Sequence, residues 1–82
     1  MTMQDINDNN FYRTSDLALA TALSLWMPIQ DIDKENPRKA QFLFEQNEKL
    51  DELIKKYWQG KLKVEPQAYF NQLRIIKARL YE

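Results

Sequence analysis

The chain contains no cysteine and no histidine, and only one glycine among its 82 residues. Without thiolates there is no disulfide framework and no cysteine nucleophile. Without imidazole, the usual zinc ligand sets and the side chain that titrates near neutral pH are missing as well. One glycine cannot build a glycine-rich phosphate loop, and no serine has a histidine to activate it. No apolar run approaches the roughly 18 to 20 residues needed to span a bilayer. Residues 1–10 also lack the basic start and apolar centre of a secretory leader. A cytoplasmic setting is therefore expected, with no cofactor, no metal and no membrane partner. The remaining acid–base candidates, Asp31, Asp33 and Glu35, cluster in what reads as a solvated turn, so the chain is not expected to be an enzyme.

Net charge is absent too, since twelve basic and twelve acidic residues cancel. The total therefore favours neither nucleic acid nor a membrane surface. The distribution is uneven. Residues 1–35 hold six acids against two bases, and residues 36–82 hold ten bases against six acids. Within residues 53–81, Glu65 alone opposes seven basic side chains. Hydrophobic residues make up 44% of the chain and ten residues are aromatic, a composition that folds. At this length one domain is expected, burying roughly two thirds of its unfolded surface around a thin core.

Residues 1–10, with Asp5, Asn7, Asp8, Asn9 and Asn10 around a lone Ile6, read as a flexible N-terminal tail, and residues 11–82 as a single α+β domain. Phe11-Tyr12-Arg13 suits a short strand. Thr14-Ser15-Asp16 supplies a helix start, and the helix is expected to run to about Leu25. Leu17, Ala18, Leu19, Ala20, Ala22, Leu23 and Leu25 make it apolar nearly all round, which predicts burial between a sheet and another helix. Met27–Ile32 reads as a strand that Pro28, lacking an amide hydrogen, confines to a sheet edge. Asn36-Pro37 marks a hairpin turn. The alternation in Ala40-Gln41-Phe42-Leu43-Phe44-Glu45 predicts the central strand, with Ala40, Phe42 and Phe44 on one face.

Asn47 suits a second helix cap, followed by a stripe of Leu50, Leu53, Ile54, Tyr57 and Trp58. Asp51 with Lys55 and Glu52 with Lys56 have the spacing of intrahelical ion pairs, and Gly60 stands where a left-handed terminator belongs. Pro66 opens a third helix whose stripe is Tyr69, Leu73, Ile76 and Leu80. The expected order is β-α-β-β-α-α, with a three-stranded, mainly antiparallel sheet packed by helices.

Several of these segments together resemble an uncharacterised family of short proteins from bacterial genomes, phages and other mobile elements. The resemblance rests on Tyr12-Arg13-Thr14-Ser15-Asp16-Leu17, Asn36-Pro37-Arg38-Lys39, Phe42-Leu43-Phe44-Glu45, Tyr57-Trp58 with Gly60, and the closing Lys77-Ala78-Arg79-Leu80-Tyr81. Trp26-Met27-Pro28 stands where that family often has a glycine. No activity carries over; the resemblance implies a small accessory protein.

Two binding functions remain in play. Asp5, Asn7, Asn9 and Asp16 have calcium-loop spacing, but Asn10 replaces the turn glycine and no helix precedes the segment. The basic C-terminal half is more informative. Lys61, Lys63, Arg74, Lys77, Arg79 and Tyr81 are the candidate nucleic-acid-binding residues, combining phosphate contacts with a stacking ring for DNA or RNA. Lys55 and Lys56 are set aside as paired on their own helix, and Tyr57, Trp58 and Tyr69 lie on stripes where burial competes with stacking. The alternative is a protein-interaction or inhibitor module, or a homodimer, in which Trp58, Phe70 and Ile75 meet the partner.

Overall fold

Residues 10–36 and 38–81 of the chain are described by a computed structural model. The alternation in QFLFE makes a strand, β3 (Gln41–Glu45), with paired neighbours on both sides. β1 (Phe11–Thr14) and β2 (Asp31–Asp33) flank it, both antiparallel, giving the order β1-β3-β2. The register sets Tyr12 opposite Phe44, and Thr14 and Ile32 either side of Phe42. These residues turn to the helices because successive strand side chains alternate between faces. Leu43 faces the other way yet is only 8% exposed. Arg13, opposite Leu43, reaches across β3, where its Nη1 donates to Asp33 Oδ2 and Gln41 Oε1, each at 3.1 Å.

The edge strand is shorter than Met27–Ile32 and sits later. Met27 is buried and gives its N–H to the Leu23 carbonyl at 2.9 Å, closing the turn that ends the preceding helix. Pro28 has no amide hydrogen to give. Pairing with β3 begins only at Gln30, whose N–H reaches the Leu43 carbonyl at 2.8 Å.

α1 (Leu17–Leu23) starts on a cap: Asp16 Oδ1 accepts the Leu19 N–H at 3.1 Å, and Thr14 Oγ1 accepts the N–H of Asp16. It stops two residues before Leu25 because Leu25 and Trp26 turn their amides to carbonyls three residues back. The helix packs against β1 and both other helices, which its alanines permit. Ala20 and Ala22 are buried, although Ala18 is exposed. Thr21 is fully buried, and its hydroxyl donates to the Leu17 carbonyl at 2.7 Å, so no polar atom is left unsatisfied.

α2 (Glu48–Trp58) is capped by Asn47, whose Oδ1 accepts from Leu50 N at 2.8 Å, and is followed by Gly60 at φ 71°. Leu50 and Leu53 enter the core beside Leu19, Leu23, Phe42 and Phe44. The expected pairs of Lys55 and Lys56 with Asp51 and Glu52 are not formed; among the described residues the ion pair within 4 Å is Arg13–Asp33. Asp51 instead accepts from Gln46 Nε2 at 2.6 Å. α3 (Pro66–Leu80) has proline in its first turn and a cap the sequence reading missed. The Glu65 carboxylate accepts from both Gln67 N and Ala68 N, at 3.0 and 2.9 Å. Ile76 seals the core from this helix. The architecture is thus α+β in the order β-α-β-β-α-α. The tail expected at residues 1–10 lies, except for Asn10, outside the described residues, as do Asp5, Asn7 and Asn9 of the calcium-type spacing.

Candidate functional site

α3 is stapled to the core by Ile76, with Tyr69, Leu73 and Leu80 half-buried beside it. Residues one step round the helix therefore run along the edge of the buried stripe. Phe70, Arg74, Lys77 and Tyr81 recur at steps of four, three and four, so at 3.6 residues per turn they share an arc of about 60°. All four are exposed, Phe70 at 58% and Tyr81 at 86%. Ile75, 53% exposed, lies further round on the outer side. Arg74, Lys77 and Tyr81 are thus brought together as the sequence suggested, and Phe70 joins their line.

The other candidate residues fall elsewhere. Lys61 and Lys63 are exposed in the loop before α3, turned outward because the alternating Leu62 and Val64 are half-buried and Leu62 packs on the core. At about 1.5 Å per residue the start of α3 at Pro66 lies about 16 Å along the axis from Lys77, and Lys61 and Lys63 line none of the hollows beside Arg74, Lys77 and Tyr81. Arg79 is half-buried on the opposite flank of α3. Trp58 is not part of the core stripe. As the last residue of α2 it stands beyond the packed region, 65% exposed, edge-on to Tyr57 with ring centroids 5.0 Å apart.

The sequence reading missed two cations beside the strip. The loop between β2 and β3 folds against the C-terminal end of α3, where Lys34 Nζ donates to the Arg79 carbonyl at 2.7 Å. A cleft of about 410 Å³ opens there, lined by Lys34, Asn36, Arg38, Ala40, Leu80 and Tyr81. Two shallower grooves continue along α3, one beside Phe70, Leu73, Arg74 and Lys77, the other beside Asn71, Arg74, Ile75 and Ala78. Among the described residues, no acidic side chain lines any of the three. By contrast Lys39 shares its surface hollow with Asp33 and Glu35.

Among the described residues Asp33 and Tyr57 have shifted proton affinities, and neither lies on the strip. Asp33 is held below the usual carboxylate range, first by the Glu35 backbone N–H its Oδ1 accepts at 3.0 Å, then by Arg13. The Tyr57 hydroxyl is pushed above its ordinary value by burial, with the negative charge of Asp16 and the neighbouring Tyr69 adding to the effect. The first shift follows from hydrogen bonding at the sheet edge and the second from packing near the α1 start. Among the described residues no three carboxylates gather where a metal ion would sit, and no helix is long and apolar enough to cross a membrane.

Phe70 is fixed in orientation by an edge contact to Tyr69, ring centroids 5.7 Å apart, and the Tyr69 hydroxyl donates to the Ala18 carbonyl at 3.4 Å. Among the described residues neither Arg74 nor Lys77, which stand between Phe70 and Tyr81, has an acid within 4 Å. No curated protein and no solved structure matches the chain. The model of a domain of unknown function, DUF5659, matches residues 9–82, nearly the whole length, and the chain belongs to that family.

Proposed function

We propose that this chain is a small, non-catalytic accessory module of the cytoplasm that contacts DNA or RNA through the outer side of α3 and the adjoining β2–β3 loop. The observation that carries the reading is the segregation of charge. In a chain whose acids and bases cancel, Arg74, Lys77, Lys34 and Arg38 line consecutive hollows without a described acid between them. A cationic surface of this kind favours polyanions, and phosphate neutralisation supplies most non-specific affinity for nucleic acid. The proposed surface takes Arg74, Lys77 and Tyr81 together with Lys34 and Arg38, the residues that line these hollows. A phage or other mobile-element origin belongs to the same reading, on the motif resemblance noted in the sequence.

The test is fluorescence anisotropy of labelled DNA and RNA oligonucleotides at low salt. Binding is expected, and it should be lost in a variant carrying Lys34→Ala, Arg38→Ala, Arg74→Ala and Lys77→Ala. No binding of any oligonucleotide at low salt would end the reading.

A second reading, docking of a protein partner, is favoured by the exposure of Trp58, Phe70 and Ile75. Ile75 has no ring with which to stack on a base, and an exposed branched aliphatic side chain suits an apolar contact. Because Arg74 and Lys77 stand on the same helix, the partner in this reading is a different protein that carries acids on its docking face. A light-scattering mass that rises with protein concentration would count against that requirement.

A further inference from the structure

We propose that the nucleic acid taken by this site is single-stranded and lies lengthwise along α3, one base on Phe70, another on Tyr81, with Arg74 and Lys77 meeting the phosphates between them. The proposal rests on the nucleic-acid function proposed above and adds the form of the ligand. Its basis is the order of side chains on the strip, which runs ring, cation, cation, ring. Phe70 and Tyr81 are eleven residues apart, so their positions along the axis differ by about 16 Å. At about 3.4 Å per nucleotide in a stacked strand that is roughly five steps, and fewer in a stretched one.

A duplex does not use such a surface well. Its bases are stacked on one another and offer only their edges, so exposed rings gain nothing from it, whereas a single strand presents faces on which aromatic side chains stack. A duplex also carries one charge per about 1.7 Å of axis, and this face offers only four cations against it. Phe70 is held in place before any ligand arrives, by its edge contact with Tyr69. Preorganisation of that kind lowers the ordering cost of binding. Tyr81 stands at the rim of the cleft that holds Lys34 and Arg38, which supplies cations for the phosphate beyond the second base. Lys34 also offsets the negative end of α3 through its bond to the Arg79 carbonyl, so an anion approaching Tyr81 does not meet bare carbonyl dipoles.

The experiment measures anisotropy titrations of the full chain with a single-stranded oligonucleotide of about twelve nucleotides, within the 4–16 range of small single-strand-binding folds, and with its duplex. Phe70→Leu and Tyr81→Leu remove the ring face and keep apolar bulk, and Phe70→Trp restores a larger ring. Both positions are exposed, and a circular dichroism melt checks each variant for folding. Tighter binding of the single strand is expected, with a loss of about 5- to 150-fold in each leucine variant and none in Phe70→Trp. Equal binding of the duplex, or leucine variants that bind like the parent, would overturn the single-strand arrangement while leaving the nucleic-acid reading standing. Absence of binding to either form removes both.

Discussion

If the strip and the adjoining loop neutralise phosphates, the affinity must report how many. Four cations line the hollows: Arg74 and Lys77 on α3, Lys34 and Arg38 from the β2–β3 loop. Each phosphate neutralised on a single strand contributes a slope of about −0.7 to the plot of log affinity against log salt, so four give about −2.8. Between 50 and 200 mM salt, a fourfold change, affinity then falls by about 50-fold. Replacing Arg74 and Lys77 by alanine leaves two contacts, a slope of about −1.4 and a fall of about 7-fold over the same range. The assay is the anisotropy titration repeated at several salt concentrations, with circular dichroism confirming that the variant folds. Both side chains are exposed and neither has an ion-pair partner among the described residues, so their removal leaves the core untouched. A slope that stays the same in the double variant would show that phosphates are met elsewhere, and a slope near zero in the parent would remove the phosphate contribution altogether.

Three further expectations concern the fold that positions this surface. Phe44 is fully buried at the centre of the sheet, so Phe44→Ala should cost about 3–5 kcal/mol, a large share of a small domain's stability, read from the urea midpoint at unchanged slope. Asn47→Ala removes the acceptor for the Leu50 N–H and should cost about 1 kcal/mol, whereas Asn47→Asp, which keeps the acceptor, should cost little; equal losses would mean that the cap is not what Asn47 supplies. Asp33, with its proton affinity lowered in the folded state, contributes stability that is present above its unfolded pKa and lost as pH falls through the lower folded one. The gap in urea midpoint between the parent and Asp33→Asn should therefore hold from neutral pH towards 3.8 and shrink below it, and a gap that persists in acid would contradict the assignment.

Features that act within four residues were legible in the sequence. Asp16, Asn47, Gly60 and Pro66 each shape backbone in the adjacent turn, and each is found in the expected role. The alternation around Phe42 and Phe44 likewise identified the central strand, since a period of two depends only on neighbours. What was not legible depends on where distant segments meet. Arg13 crosses the sheet to a partner 20 residues away. Lys34 reaches a carbonyl 45 residues away, and nothing local to Asp33-Lys34-Glu35 announces it. The same long-range contact brings Arg38 to Tyr81, so half of the cationic surface was invisible while the half lying on α3 was not. Trp58 misled because its spacing matches the stripe of α2, and only the extent of the core shows that the stripe outruns what there is to cover it.

The contrast between α2 and α3 is what separates fold from function here. In α2 the large apolar residues turn inward except at its last position, and the rest of its surface is charged, as expected of a helix with one job. α3 has apolar groups on two sides. Tyr69, Leu73, Ile76 and Leu80 meet the core, while Phe70 and Ile75 stand in solvent, followed by Tyr81 just past the helix end. Burial accounts for the first group, and the second adds little to stability beyond the edge contact of Phe70 with Tyr69. An exposed ring held by its neighbour, as Phe70 is by Tyr69, gains free energy only when something covers it. Substitutions therefore divide by side of the helix. Ile76→Ala should unfold or weaken the domain and lose binding only as a consequence, whereas Phe70→Leu should leave the melting temperature in place and alter recognition alone. If Phe70→Leu lowered the melting temperature as Ile76→Ala does, the outer side of α3 would belong to the fold, and the functional assignment of this surface would lose its basis.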